Sequence, residues 1–376
     1  YLFSSLLLLL PLSYSASLYD LTLLDLGNEY RVTDCQSNAY GELVIPSTYA
    51  GKPITEIGYQ AFYYNDALTK ITLPDTITSI SSSAFGYCTS LQEINIPSHI
   101  TRIENSAFSE CSSLSSIELP SSLNHIGDWA FAYCDQLQSI DIPDTVTFIG
   151  EWAFNDCDGL TSINLPQNLT SISTGLISYC DSITSITIPD TVTVIGTSAF
   201  ESSSSLSNVT IPSALEALEK WAFRSCALVN ITLPNSLQII RDEAFYANPL
   251  QTIVFEGNAP IIVGNPFRSV SNATINAYSG STGFSAQFAG LPVVYLDLTT
   301  DSDSDGLSDA FETNTGIFLS MTDTGSNPSI SDTDGDGIND GDEVLTYYSN
   351  PNLSDSDSDG LSDLFEINLS NVDIDV

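Results

Sequence analysis

Apolar residues along most of this chain return with one long period and, inside it, one short one. The segment Ile94–Pro97, apolar at its first and third positions and closed by proline, recurs as Ile117–Pro120, Ile140–Pro143, Ile163–Pro166 and Ile186–Pro189, each 23 residues after the last. The series opens at Ile71–Pro74 and runs through Val209–Pro212; Ile231–Pro234 comes one residue early, and Ile253–Glu256 ends it without its proline. Alternation within each copy predicts a short strand with inward residues two apart. The proline has no N–H to give a ladder and predicts the strand's end. Between strands, Ile80, Ile103, Ile126, Ile149, Ile172, Ile195, Leu218 and Ile240 each precede an Ala-Phe pair such as Ala84 and Phe85, replaced once by Leu176 and Ile177. One such unit cannot enclose its own apolar face, whereas stacked units bury a continuous core. Equivalent strands then lie parallel, about 4.8 Å apart. The predicted fold class is a repeat solenoid, a curved right-handed coil of parallel short strands with one strand-lined face.

These repeats resemble the leucine-rich repeat of the BspA-like class of bacterial and protist surface proteins. The resemblance extends to an opening unit, Val44–Pro53, followed by Ile54–Gly58 and the pair Ala61 and Phe62. It includes a closing stretch with Phe255–Pro260, Gly280–Phe284 and Gly290–Pro292, and covers about Tyr30 to Leu296. It implies secretion or surface display with adhesion or ligand recognition, and it does not imply catalysis. Ten linked copies make it specific for fold, while a fold of this kind hosts many functions.

Six of the seven cysteines occupy one repeat position: Cys88, Cys111, Cys134, Cys157, Cys180 and Cys226. Ser203 fills the slot between the last two, and Asn65 and Asn248 fill it in the terminal units. Stacked units hold equivalent atoms about 4.8 Å apart, too far for the roughly 3.8 Å between bridged Cβ atoms. The exchange of Cys with Ser and Asn predicts a small, inward, weakly hydrogen-bonding side chain and not a disulfide or zinc framework. Cys35 stands alone.

The N-terminal residues change the picture. Leu6–Leu10, stopped by Pro11 and followed by small residues through Ser17, read as a signal peptide over residues 1–16. The apolar run is too short to cross a bilayer. A start at Tyr1 without a basic flank predicts that the chain begins inside a longer sequence, and no later stretch predicts a membrane-spanning helix. The expected organisation is therefore a leader at 1–16, an N-terminal cap at 17–42, the solenoid at 43–256, its C-terminal cap at 257–297, and a distinct acidic region at 298–376.

Charge sets that last region apart. The chain carries 8 Lys+Arg against 47 Asp+Glu, a formal net charge of −39. Such a balance excludes a phosphate-neutralising nucleic-acid surface and docking on anionic lipid, and it favours cations as partners. From Leu298 to Val376 there are 19 acidic residues and no Lys, Arg or His. Within it three segments share one spacing. They are Asp301, Asp303, Asp305, Gly306, Asp309 and Glu312; Asp332, Asp334, Asp336, Gly337, Asp340 and Glu343; and Asp355, Asp357, Asp359, Gly360, Asp363 and Glu366. These are loop positions 1, 3, 5, 6, 9 and 12. Calcium takes six to eight hard oxygen ligands. Alternate carboxylates wrap one side of the ion, glycine permits the turn, the backbone carbonyl at position 7 (Leu307, Ile338, Leu361) adds a ligand, position 9 acts directly or through water, and the glutamate closes the far side. The apolar residue at position 7, the short polar flanks and stretches such as Asn350–Asp355 resemble the bacterial thrombospondin type 3 repeat. That resemblance covers about Asp301 to Asn368 and implies calcium-dependent folding in a loop-rich spacer between a domain and its anchor.

No catalytic set emerges. His99 and His125 occupy non-equivalent positions without a neighbouring nucleophile, no phosphate-cradling glycine loop is present, and Glu118 and Asp141, close on adjacent strands, are what a repeat places side by side by default. The expectation is a binding protein. Outward strand residues form a polar face, with Glu93, Asn95, Glu118, Asp141 and Asn164 as candidate ligand contacts. Trp129 and Trp152, one repeat apart and placed to stack, are candidate anchors with Tyr87 and Tyr133 nearby. The expected partner is an extracellular protein or glycan; the alternative is a purely structural rod in the cell envelope or matrix, or the non-catalytic part of a larger exported protein.

Overall fold

The computed structural model describes residues 15–318, 324–358 and 360–369. All but Ser15 and Ala16 of the expected leader, and the expected metal ligand Asp359, lie outside the described residues. The chain divides into two compact units, Tyr1–Ile275 with Gln287–Pro292, and Asn276–Ala286 with Val293–Val376. The stretch 257–297, expected as a cap, is shared between them.

The first unit is the solenoid, whose repeat strands are parallel and in register. Ser139–Asp141 pairs with Ser162–Asn164, Ser185–Thr187 with Asn208–Thr210, and Asn230–Leu233 with Thr252–Phe255, placing Ile140 beside Ile163 and Ile186 beside Val209. The proline after each strand opens a tight turn, as where the Val146 N–H donates to the Pro143 carbonyl at 2.9 Å. That turn leads to a second parallel row, which the sequence pattern did not disclose: His125–Ile126 between Arg102–Ile103 and Phe148–Ile149, and a run from Ser171–Ile172 to Ile261–Ile262. Threonine and serine clamp successive turns; the Thr145 hydroxyl donates to the carbonyls of Ser121 (3.1 Å) and Leu123 (2.6 Å) one unit earlier.

The Ala-Phe segment closes each coil in a third way. Residues two before and two after the phenylalanine take left-handed backbone, as at Ser83 (φ 55°) and Tyr87 (φ 60°), or Trp129 (φ 56°) and Tyr133 (φ 60°). Alternate N–H groups then point into the next unit. Ser83, Phe85 and Tyr87 donate to the carbonyls of Asn105, Ala107 and Ser109 at 2.9, 2.9 and 2.8 Å. Left-handed backbone costs a non-glycine residue about 1–2 kcal/mol, which the ladder bonds offset by satisfying every alternate N–H.

The core between these three walls is apolar and closed. Phe62, Phe85, Phe108, Phe131 and Phe154 stack with centroids 5.1, 5.3, 5.5 and 5.4 Å apart, all essentially inaccessible to solvent. All seven cysteines are free and buried. In the ladder each thiol donates to the phenylalanine carbonyl of the preceding unit, as Cys88 to Phe62 at 3.1 Å and Cys134 to Phe108 at 3.3 Å. Ser203 makes the same bond to Ile177 at 2.7 Å, and Asn248 to Phe223 at 2.6 Å. The shared property of Cys, Ser and Asn is thus a short inward donor. Burial pushes the Cys88 thiol up to about 12. Cys35 belongs to the N-terminal hairpin of Leu21–Asp25 and Tyr30–Cys35, and its sulfur lies 3.7 Å from the Asn65 amide nitrogen.

Among the described residues of the second unit, regular structure includes a helical turn at Asp340–Asp342, a wider turn at Glu343–Tyr347, and a helix at Asp363–Leu369.

Candidate functional site

The first candidate lies on the strand row predicted to carry ligand contacts. Asp141, Asn164, Gln167, Ser162, Ser185 and Thr187 line an open groove of about 510 Å³. In-register pairing puts Asn164 beside Asp141, and its amide donates to that carboxylate at 3.2 Å. The remaining strand-face candidates differ in availability. Glu93 is paired with Lys70 at 2.6 Å. Asn95 spends its amide on Leu73 of the preceding unit, accepting from the N–H at 2.8 Å and donating to the carbonyl at 2.9 Å, and so acts as a backbone clasp. Glu118 is exposed and not among the groove's lining residues.

Trp129 and Trp152 stack at 5.5 Å and 17°. Trp152 in turn lies flat over Gly175, where a Cβ would meet its ring at 2.1 Å. His125 stacks on Phe148 at 4.8 Å, and burial, aided by Arg102, lowers its pKa.

The second candidate is the row of acidic loops. Carboxylate oxygens of Asp301, Asp303 and Asp305 lie within 4.8 Å of one another, as do those of Asp332, Asp334 and Asp336. Position 1 is held by backbone: Asp301 accepts from Ser304 and Gly306 at 2.7 and 3.2 Å, and Asp332 from Gly335 and Gly337 at 2.7 and 3.1 Å. In the third loop Asp355 accepts from Gly360 at 3.0 Å. The glycines at position 6 turn through φ of 101°, 104° and 97°, which only glycine adopts cheaply. The glutamates at position 12 are buried, at 3 % exposure for Glu312, 0 % for Glu343 and 2 % for Glu366. One oxygen each of Glu312 and Glu343, and both of Asp303, are buried without a hydrogen-bond partner. Burial, then neighbouring aspartates, raises Glu312 to about 8, Glu343 to about 9 and Asp334 to about 6.

Position 9 has a partner the sequence reading overlooked. Asp309, Asp340 and Asp363 each accept from both the backbone N–H and the hydroxyl of position 2, Ser302, Thr333 and Ser356, at 2.6–2.9 Å. The signal was present as a hydroxyl residue after the first aspartate of every loop. Successive loops are also linked. Position 5 of one accepts from the backbone at position 10 of the next: Gly341 to Asp305 at 3.1 Å, and Leu364 to Asp336. Asp305, Glu312 and Asp340 accordingly bring carboxylate oxygens within 4.8 Å of one another. Leu307 and Ile338 are buried and Leu361 is exposed.

In-register strands stacked at a 23-residue step, with inward Ile and Phe columns and a polar strand face, define a leucine-rich-repeat solenoid. Residues 55–184 and 170–288 match the BspA type leucine-rich repeat region in 6 copies, and the chain belongs to that family. It is similar to a leucine-rich repeat protein from Bacteroides ovatus, at 28% identity over 79% of each chain with a TM-score of 0.65. It is also similar to the leucine-rich repeat protein of T. pallidum (26% identity, 57% of this chain and 89% of that one, TM-score 0.45) and to the pneumococcal vaccine antigen PcpA (21%, 68% and 85%, 0.43). No curated protein matches the chain. Among the described residues, no helix is long and apolar enough to cross a membrane.

Proposed function

We propose that this is an exported, surface-displayed or secreted recognition protein. Its solenoid binds an extracellular protein or glycan on the strand face, and its acidic loops hold calcium. The observation that carries the reading is the groove around Asp141 and Asn164, where hydroxyls, amides and the carboxylates of Asp141 and Asp144 line one open volume. Many modest hydrogen bonds are the currency of such a surface. The leader-like residues 1–16 support export. The test is a variant carrying Asp141→Ala, Asn164→Ala and Ser162→Ala, compared with the parent on arrays of glycans and immobilised extracellular proteins. Lost binding with an unchanged circular dichroism spectrum is the expected result; binding that survives would leave the strand face a plain structural wall.

Calcium is supported by the chemistry of the donor set. Partnerless buried carboxylate oxygens and mutually crowded aspartates are what a divalent cation would neutralise. Asp301, Asp303, Asp305 and Glu312 would hold it in the first loop, Asp332, Asp334, Asp336 and Glu343 in the second, and Asp355, Asp357, Asp359 and Glu366 in the third, with position-7 carbonyls as the sequence pattern implies. Bound calcium would supply the positive charge that lets these groups stay ionised together. Limited proteolysis in calcium and in chelator tests it, with cleavage in 298–376 expected only in chelator; identical digestion patterns would remove calcium from the account.

A further inference from the structure

On a different wall of the solenoid, the outer side of the Ala-Phe turns, lies a cleft of about 310 Å³ whose lining shares no residue with the strand-face groove. Its floor is made of small residues, Gly86, Ser83, Ser106 and Ser109. One end is walled by Tyr63 and Tyr87, in edge contact at 5.4 Å, the other by Trp129 and Tyr133, and Glu110 stands between. Tyr63 lies so flat across Gly86 that a Cβ there would meet its ring at 2.9 Å. Trp152 covers one face of the Trp129 indole, and Trp129, 37% exposed, lines the cleft. Tyr87, Glu110 and Tyr133 occupy one repeat position in successive units, so the two rings stand roughly 10 Å apart, two rung spacings. No lining residue is a cation. Crowding works the same way: burial, then Asp135 and Asp156, holds the Glu110 carboxyl above its usual range.

The same turn positions further along the chain show what such walls accommodate. There Trp221 stands where Trp129 stands in its unit, and the next residue row supplies Glu201, Arg224 and Tyr246. The Arg224 guanidinium lies 5.2 Å from the Trp221 ring centre and 5.1 Å from that of Tyr246, and it pairs with Glu201 at 3.0 Å. The chain fills that space with its own arginine. In the earlier units the row carries Gly86 and Ser109, and the aromatic and carboxylate walls are left facing an open volume.

We propose that the cleft between Tyr63, Tyr87, Trp129 and Tyr133 is a docking site for an arginine side chain of a basic extracellular polypeptide, with the guanidinium against the aromatic rings and paired with Glu110. A planar cation suits ring faces and a carboxylate together, and the surrounding excess of negative charge draws a basic partner toward it.

The test uses the full chain in calcium at physiological salt, with a tri-arginine peptide and its neutral tri-citrulline counterpart as probes in calorimetry. Trp129→Ser copies the serine that stands at this position in the two preceding units, and Glu110→Gln keeps shape while removing one acid among 47. The expected result is a clear preference for tri-arginine and a loss of roughly five- to tenfold in either variant, with unfolding midpoints near the parent's. Equal binding of the two peptides overturns the proposal. So does tri-arginine binding that ignores Trp129→Ser, since that marks attraction to the net charge alone. The strand-face variant distinguishes the two surfaces: it should leave tri-arginine binding intact, and a loss there would place the cation on the groove and not in this cleft.

Discussion

Ile177 interrupts the phenylalanine column. The rings stack from Phe62 to Phe154, and again from Phe200 through Phe223, Phe245 and Phe267 at 5.0, 5.7 and 5.6 Å. Between them the usual Ala-Phe is Leu176 and Ile177, both fully buried. The two pairs carry equal numbers of side-chain carbons, eight in each, so bulk removed at one position is returned at its neighbour. The backbone ladder is unaffected, with Phe154 donating to Leu176 at 3.1 Å and Ile177 to Ala199 at 2.8 Å. If volume compensation is the reason, the two sites must couple strongly. Leu176→Ala alone should cost about 2–5 kcal/mol through the cavity it leaves. Ile177→Phe alone should cost about 1–3 kcal/mol by overpacking. The double substitution restores the volume and gains two stacking partners, Phe154 and Phe200, worth about 0.5–1.5 kcal/mol each. It should therefore lie within about 1 kcal/mol of the parent or above it, not several kcal/mol below as additivity would require. Urea unfolding of the four proteins, followed by far-ultraviolet circular dichroism, closes the cycle. A double variant destabilised by the sum of the singles would refute the compensation argument.

Gly175→Ala should destabilise by more than about 1 kcal/mol, because the position is left-handed and the new Cβ would enter the Trp152 ring at 2.1 Å; shifted tryptophan emission would show the displaced indole, and an unshifted spectrum with parental stability would contradict the packing. Cys134→Ser should be better tolerated than Cys134→Ala, by about 1 kcal/mol, since serine keeps the donor to Phe108 as Ser203 does to Ile177; thermal melts of the pair decide it. In chelator, the acidic loops should be most protected from protease near pH 4.5 and lose protection as pH rises toward 9. Glu312 and Glu343 have folded pKa values raised to about 8 and about 9, so the folded loops bind protons that the unfolded chain has released, and stability falls with pH across that window. Calcium should reverse the trend, because its ligands must be deprotonated; digestion rates across pH, with and without the ion, give the sign directly.

The strand row was legible because a 23-residue step and period-two alternation report inward residues directly. The cysteine position was legible through its exchange with Ser203 and Asn248, which share only a short donor. The turn wall was not. Apart from Gly175, its left-handed positions carry residues such as Trp129, Tyr87 and Ser83, so the usual residue signal for such backbone is all but missing. The second strand row escaped for a related reason: most of its strands are two residues long, too short for a period to show. On the strand face, outward direction was readable but availability was not, since Asn95 is consumed by Leu73. The cleft depends on three rows meeting across four units, which no single repeat displays.

The turn ladder is built by backbone alone, and the rungs donated by its phenylalanines stay between 2.8 and 3.1 Å whatever stands outside them. Phe85 donates to Ala107 at 2.9 Å beneath Ser83 and Tyr87, and Phe131 to Ala153 at 2.8 Å beneath Trp129 and Tyr133. Inward positions are bound by the stacked phenylalanines and the thiol donors, where changing one side chain costs several kcal/mol. Outward positions on the same turns are free to hold Ser, Trp, Tyr, Glu or Asp without disturbing a rung. Recognition can therefore be written on this wall unit by unit, with the neighbour-to-neighbour stability of the solenoid left intact. Arg224 between Trp221 and Tyr246 and the open cleft at Glu110 are two settings of that one device.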